Sequence, residues 1–65
     1  MDYEVLKKQK SKLERKIKRN KDKIKDLENR IDKLSEHGHW MLGYLIGCNS
    51  ACEEMLNEIE DMIFE

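Results

Sequence analysis

Stepping alternately by four and three residues from Leu13, the chain presents Leu13, Ile17, Asn20, Ile24, Leu27, Ile31, Leu34, Gly38, Met41, Leu45, Cys48, Cys52, Met55, Ile59 and Met62. Only Asn20 and Gly38 in this ladder are not apolar. A 4-3 spacing lines side chains along one seam of a slightly underwound helix, as in a coiled coil. The chain has 65 residues and no proline, and 42% of it is charged. That composition with a 3.5-residue apolar period belongs to long or paired helices. A disordered, highly charged chain is not expected to carry so regular a seam. The expected fold class is all-α: an antiparallel helical hairpin or coiled coil that assembles into a helical bundle as a homo-oligomer. A chain this small buries too little surface to be comfortable alone and calls for a partner chain, a disulfide or a metal.

Two arrangements compete. Asp2 is placed as an N-cap with Glu4 in the first turn, opening a helix over about 3–36. Gly38 follows a cationic turn, the usual helix stop, which puts a turn at about 37–39 and a second helix over about 40–63. The ladder crosses Gly38 in phase, however, which favours the alternative of one continuous helix in an antiparallel coiled coil. A further variant breaks the second helix at Gly47-Cys48-Asn49-Ser50, with Ser50 and Glu53 as a capping box. In every variant the chain is a single helical domain.

The net charge of −1 hides a division. All thirteen Lys and Arg lie between Lys7 and Lys33; with seven acids in residues 1–34 the first part carries +6, and residues 35–65 carry −7. Parallel pairing would set the basic stretch beside its own copy. Folding back, or antiparallel pairing, sets it near Glu53, Glu54, Glu58, Glu60 and Asp61, and charge therefore selects the antiparallel orientation.

The two halves differ in apolar breadth. Between Glu14 and Lys33 the only apolar residues are Ile17, Ile24, Leu27 and Ile31, so the first helix has one narrow stripe. The second adds Trp40, Leu42, Tyr44, Ile46 and Ala51 around its seam, with Gly43, Gly47 and Ala51 four apart on another face. A helix apolar nearly all round is covered on several sides. A self-association interface is expected at Trp40, Met41, Gly43, Tyr44, Leu45, Gly47, Cys48, Ala51, Cys52 and Met55, with Trp40 and Tyr44 as anchors.

Other chemistry is thin. His37, His39, Cys48 and Cys52 invite a zinc reading, but the cysteines occupy seam positions, where free Cys behaves as a small hydrophobe. On a continuous helix His39 and Cys48 lie about 13 Å apart along the axis, too far to share one ion. No metal or cofactor is expected. The stretch from Lys7 to Lys25 carries a local +9, and Lys8, Lys12, Arg15, Lys16, Arg19 and Lys23 are candidate nucleic-acid contacts of the sequence-independent, salt-sensitive kind. The plainer reading of that stretch is a solvated face partly neutralised by the acidic helix. No nucleophile, base and orienting group stand together, no glycine-rich phosphate loop occurs, and two helices offer little concavity for a small-molecule substrate. A non-enzymatic protein is expected.

The first residues lack the apolar run of a signal peptide, the run from Trp40 to Cys48 is too short to span a membrane, and two cysteines make no secreted disulfide framework. A reducing cytoplasm is the expected compartment. The expected role is that of an adaptor or inhibitor acting on a larger protein through protein–protein contacts, with sequence-independent nucleic-acid binding by the Lys-rich helix as the alternative.

Overall fold

The computed structural model describes residues 2–64, which form a two-helix hairpin. Helix α1 runs Tyr3–Asn29 and helix α2 runs Glu36–Phe64, joined by one 3-10 turn at Ile31–Lys33. The rod measures 46 × 15 × 14 Å, as two helices of 27 and 29 residues at 1.5 Å per residue require. Their antiparallel register is marked by two cross-helix contacts. Lys21 Nζ lies 3.3 Å from Glu53 Oε1, and Lys10 Nζ sits 5.9 Å over the Phe64 ring. Eleven residues back along α1 match eleven forward along α2. The chain folds back on itself, so the single continuous helix does not form.

The reversal comes earlier than the glycine suggests. Helix α1 begins as expected, with the Asp2 carboxylate accepting from Glu4 N at 3.1 Å. It ends at Asn29, where Arg30 leaves the helical region at φ −115°, ψ 21°. Its N–H still donates to Leu27 O at 3.1 Å, and its guanidinium grips Asp26 Oδ2 at 2.7 Å. The turn tightens through Lys33 N to Arg30 O at 2.9 Å, and Leu34 is extended. Ser35 then caps α2: its Oγ accepts from Gly38 N at 3.1 Å and its carbonyl from His39 N at 3.0 Å. A serine cap followed by Glu36 in the first turn is a strong helix start. The expected turn at 37–39 therefore lies inside α2. Gly38 stops nothing; it makes room. A Cβ there would stand 3.1 and 3.2 Å from the Leu34 side chain, which folds back over the first turn. Residues 47–50 are helical throughout, so the three-helix variant does not form either.

The seam of α1 runs as the ladder predicts and extends further back. Leu6, Ile17 and Leu27 are buried, and Lys10, Leu13, Asn20 and Ile24 are half-buried between them. Ile31 falls in the turn and is exposed. The seam of α2 is rotated from the expected one. Leu42, Asn49, Cys52 and Ile59 are buried, with Leu45, Leu56 and Ile63 half-buried in the same 4-3 row. Met55 and Met62, expected in the seam, are exposed. The core is thin. Its best-buried apolar residues keep 6–8% of their surface, and among the described residues no side chain is sealed completely.

Candidate interaction surfaces

Rotating the α2 seam leaves a second row beside it. Trp40, Tyr44, Met55 and Met62 are 60, 55, 52 and 53% exposed. Ala51 is exposed between them, and Met41 and Cys48 are half-buried where the row meets the seam. Large apolar side chains at three- and four-residue spacing share a helix face, so Trp40 to Met55 form one stripe, and Met62 continues its line beyond Glu58. Its N-terminal end is ordered by stacking: the His37 and Trp40 ring centroids are 5.8 Å apart, and those of Trp40 and Tyr44 5.3 Å apart with an 11° interplanar angle. Cys48, one turn on, raises the Tyr44 pKa above its ordinary 10.0, first by favouring the protonated phenol as a hydrogen-bond donor, then by charge repulsion, with slight desolvation last. Towards α1 the stripe is bordered by a shallow groove that Met55 and Ile59 line with Gln9, Lys12, Leu13 and Lys16.

Eight of the ten expected interface residues lie on or beside this stripe or on the open back of α2. The other two, Leu45 and Cys52, take seam positions that pack on α1 within the chain. Gly43 and Gly47 are exposed, and a Cβ at either would meet nothing within 4 Å. Nothing in the chain itself requires glycine there, although each costs about 1 kcal/mol against alanine in a helix interior.

Among the described residues Asn49 is the one buried polar residue. Its Nδ2 donates to Glu53 Oε1 at 3.5 Å, and its Oδ1 has no partner. Glu53 also pairs with Lys21, so the three form a short polar link across the hairpin.

The basic face covers the outer side and one flank of α1, where Lys12 and Lys16 also border the groove to α2. Lys8, Lys12, Arg15, Lys16, Arg19 and Lys23 are all exposed. Two adjoining shallow depressions run along it, one lined by Lys7, Lys8, Ser11, Lys12 and Arg15, the next by Lys12, Arg15, Lys18 and Arg19. Of the eleven cations from Lys7 to Lys25, only Lys10 and Lys21 have a carboxylate within 4 Å among the described residues, and only Lys21 reaches across to α2. Among the described residues, direct neutralisation of this stretch by the acidic helix is confined to the Lys21–Glu53 pair. Glu54, Glu58 and Asp61 are exposed, away from the seam.

Among the described residues no three His, Cys, Asp or Glu side chains converge on a point that could hold a metal ion, and no helix is long and apolar enough to cross a membrane. Cys48 and Cys52 are free thiols. Comparison with protein-family models, curated proteins and solved structures finds no match.

Proposed function

We propose that the chain is a non-enzymatic interaction protein, an adaptor or inhibitor that works by docking the exposed row of α2 on protein and so carrying its charged outer faces to a larger partner. The observation that supports this is the row itself: Trp40, Tyr44, Met55 and Met62, each more than half exposed, in line on one face of a chain that is 42% charged. A contiguous apolar stripe on a small charged protein marks a contact surface, and Trp and Tyr are the residues that anchor such contacts. Retention of proteins from the source cell by the immobilised full chain tests the reading. Wild type is expected to hold a defined set of proteins that Trp40→Ala and Tyr44→Ala release. Equal retention by wild type and both variants would remove the row from the proposal.

A second reading has its own support in the unneutralised face of α1. Lys8, Lys12, Arg15, Arg19 and Lys23 stand in one row at steps of four, three, four and four, which a helix turns into a line about 22 Å long. Such a line suits a polyanion backbone, nucleic acid above all, bound without sequence preference. Mobility shift of single- and double-stranded oligonucleotides at low salt should show binding that weakens steeply as salt rises. Absence of a shift at low salt would dismiss this reading.

A further inference from the structure

Helix α2 carries two heptad rows, not one. The first, facing α1, is the hairpin seam. The second is Met41, Tyr44, Cys48, Ala51, Met55 and Met62, again at 4-3 steps apart from Glu58, which falls at the step between Met55 and Met62. Helix α1 cannot cover both rows, because between Glu14 and Lys33 it offers four apolar residues, three of them packed in its own seam or half-buried there. We propose that the second row is the docking surface for α2 of a second copy of this chain, packed antiparallel about a two-fold axis. The product is a four-helix bundle with the two α2 helices inside and the two α1 helices outside. This rests on the reading of the row as a contact surface and names its occupant.

Three observations select a second copy in this orientation. The described chain has no other continuous apolar row left open, so a second copy can answer this face only with the same face, which is the isologous contact of a two-fold dimer. Charge then fixes direction. From His37 to Cys52 α2 has no Asp, Glu, Lys or Arg, whereas Glu53, Glu54, Glu58, Glu60 and Asp61 crowd its other half. Parallel docking sets acid on acid; antiparallel docking sets each acidic half beside the uncharged half that begins with His37 and His39. Layering matches as well. In the register that sets Tyr44 against Met55 of the partner subunit, a sulfur–aromatic contact, Cys48 lies against Ala51 of the partner subunit and Met41 against Glu58 of the partner subunit. Gly47, open in the single chain, stands at the edge of the row and lets the second backbone approach.

Sedimentation equilibrium of the full chain at about 100 μM should return twice the 7.8 kDa chain mass. Met55→Glu places a charge on a side chain already half exposed, so helicity by circular dichroism should hold while the mass falls to one chain and the dimer weakens at least about tenfold. Orientation is read by oxidation. Ala51→Cys with Cys52→Ala should form a disulfide-linked dimer on a non-reducing gel, and Cys52→Ala alone should form far less. A folded wild-type chain at single mass, a dimer indifferent to Met55→Glu, a mass above two chains, or ready Cys48–Cys48 linkage in Cys52→Ala would each overturn the assignment. Single mass with loss of captured proteins by Trp40→Ala would overturn the second copy alone and leave the contact surface standing.

Discussion

The two helices are almost equal in length and pack on each other along their whole extent, yet they are built on different terms. Helix α1 has one apolar row and is charged or amide nearly everywhere else; a single partner helix satisfies it. Helix α2 has a row for α1 and a second row beside it, so its single partner leaves Trp40, Tyr44, Met55 and Met62 in water. The difference teaches that pairing two helices does not make their faces equivalent. The narrower helix sets how much of the wider one can be covered, and the surplus becomes surface chemistry. Burial is worth about 25 cal/mol per Å² of apolar area, so the uncovered row is the largest unused source of stabilisation in the molecule.

The sharpest way to break this comparison is to truncate one residue from each row of α2 and unfold the dilute chain in urea. Ile59 is buried against α1 and Met62 is more than half exposed. Ile59→Ala should cost about 2–4 kcal/mol, the lower part of the range for buried aliphatic truncations because the core is thin. Met62→Ala should cost well under about 1 kcal/mol. Equal losses would mean that the two rows are wrongly divided.

That division also measures what was legible beforehand. In α1 the ladder from Leu13 to Leu27 could be read directly, because no other apolar residues competed with it. In α2 the expected ladder of Met41, Leu45, Cys48, Cys52, Met55, Ile59 and Met62 takes Leu45, Cys52 and Ile59 from the buried row and the rest from the exposed one. It ran along the boundary between two rows, and a 4-3 step is satisfied equally by either. Only the position of α1 decides, and that is a tertiary fact. The preserved phase across Gly38 was an accident of the same ambiguity. The turn was misplaced because glycine has two uses: a helix stop, or space for a neighbour, as Leu34 uses it here. Of the basic face, the residues were legible; their lack of acidic partners was not, because charge totals do not say on which side of α2 the acids project.

A smaller effect comes from the polar layer within the covered row. Asn49 is buried with its Oδ1 unpartnered, whereas Asn20 in α1 is half-buried. A buried polar atom without a hydrogen bond costs about 1–3 kcal/mol. Asn49→Leu should therefore stabilise the hairpin by about 1–2 kcal/mol in denaturant titrations. A loss of stability would mean that the amide is satisfied by water or by Glu53 and that the covered row is more polar than its burial suggests.

The glycines divide in the same way. Gly43 faces open space, so Gly43→Ala should gain about 1 kcal/mol of helix stability. Gly38→Ala must push the Leu34 side chain aside from 3.1 Å and should gain clearly less, or lose. Thermal melting of the two variants side by side checks this. Equal gains would show that the Leu34 contact gives way freely.

The smallest effect sits on the uncovered row. Cys48 raises the pKa of the Tyr44 phenol above 10.0, first by favouring the protonated phenol as a hydrogen-bond donor, then by charge repulsion. A raised folded-state value means that the folded chain holds this proton more tightly than the unfolded chain. Its contribution is complete below pH 10.0 and fades as pH climbs through the higher folded value. The ring is exposed, so the effect is a displaced titration and not a measurable share of stability. In a Tyr3→Phe background, tyrosinate absorbance should give a midpoint above 10.0 that drops when Cys48→Ala is added. Covering the row would add desolvation, which disfavours the phenolate and moves the midpoint further up. The midpoint should therefore rise with protein concentration in the Cys48-containing chain. It should stop rising in Met55→Glu, whose charge keeps the row wet. A midpoint that ignores Cys48 would separate the two side chains, and one that ignores concentration would leave the α2 row as open at high concentration as it is in the single chain.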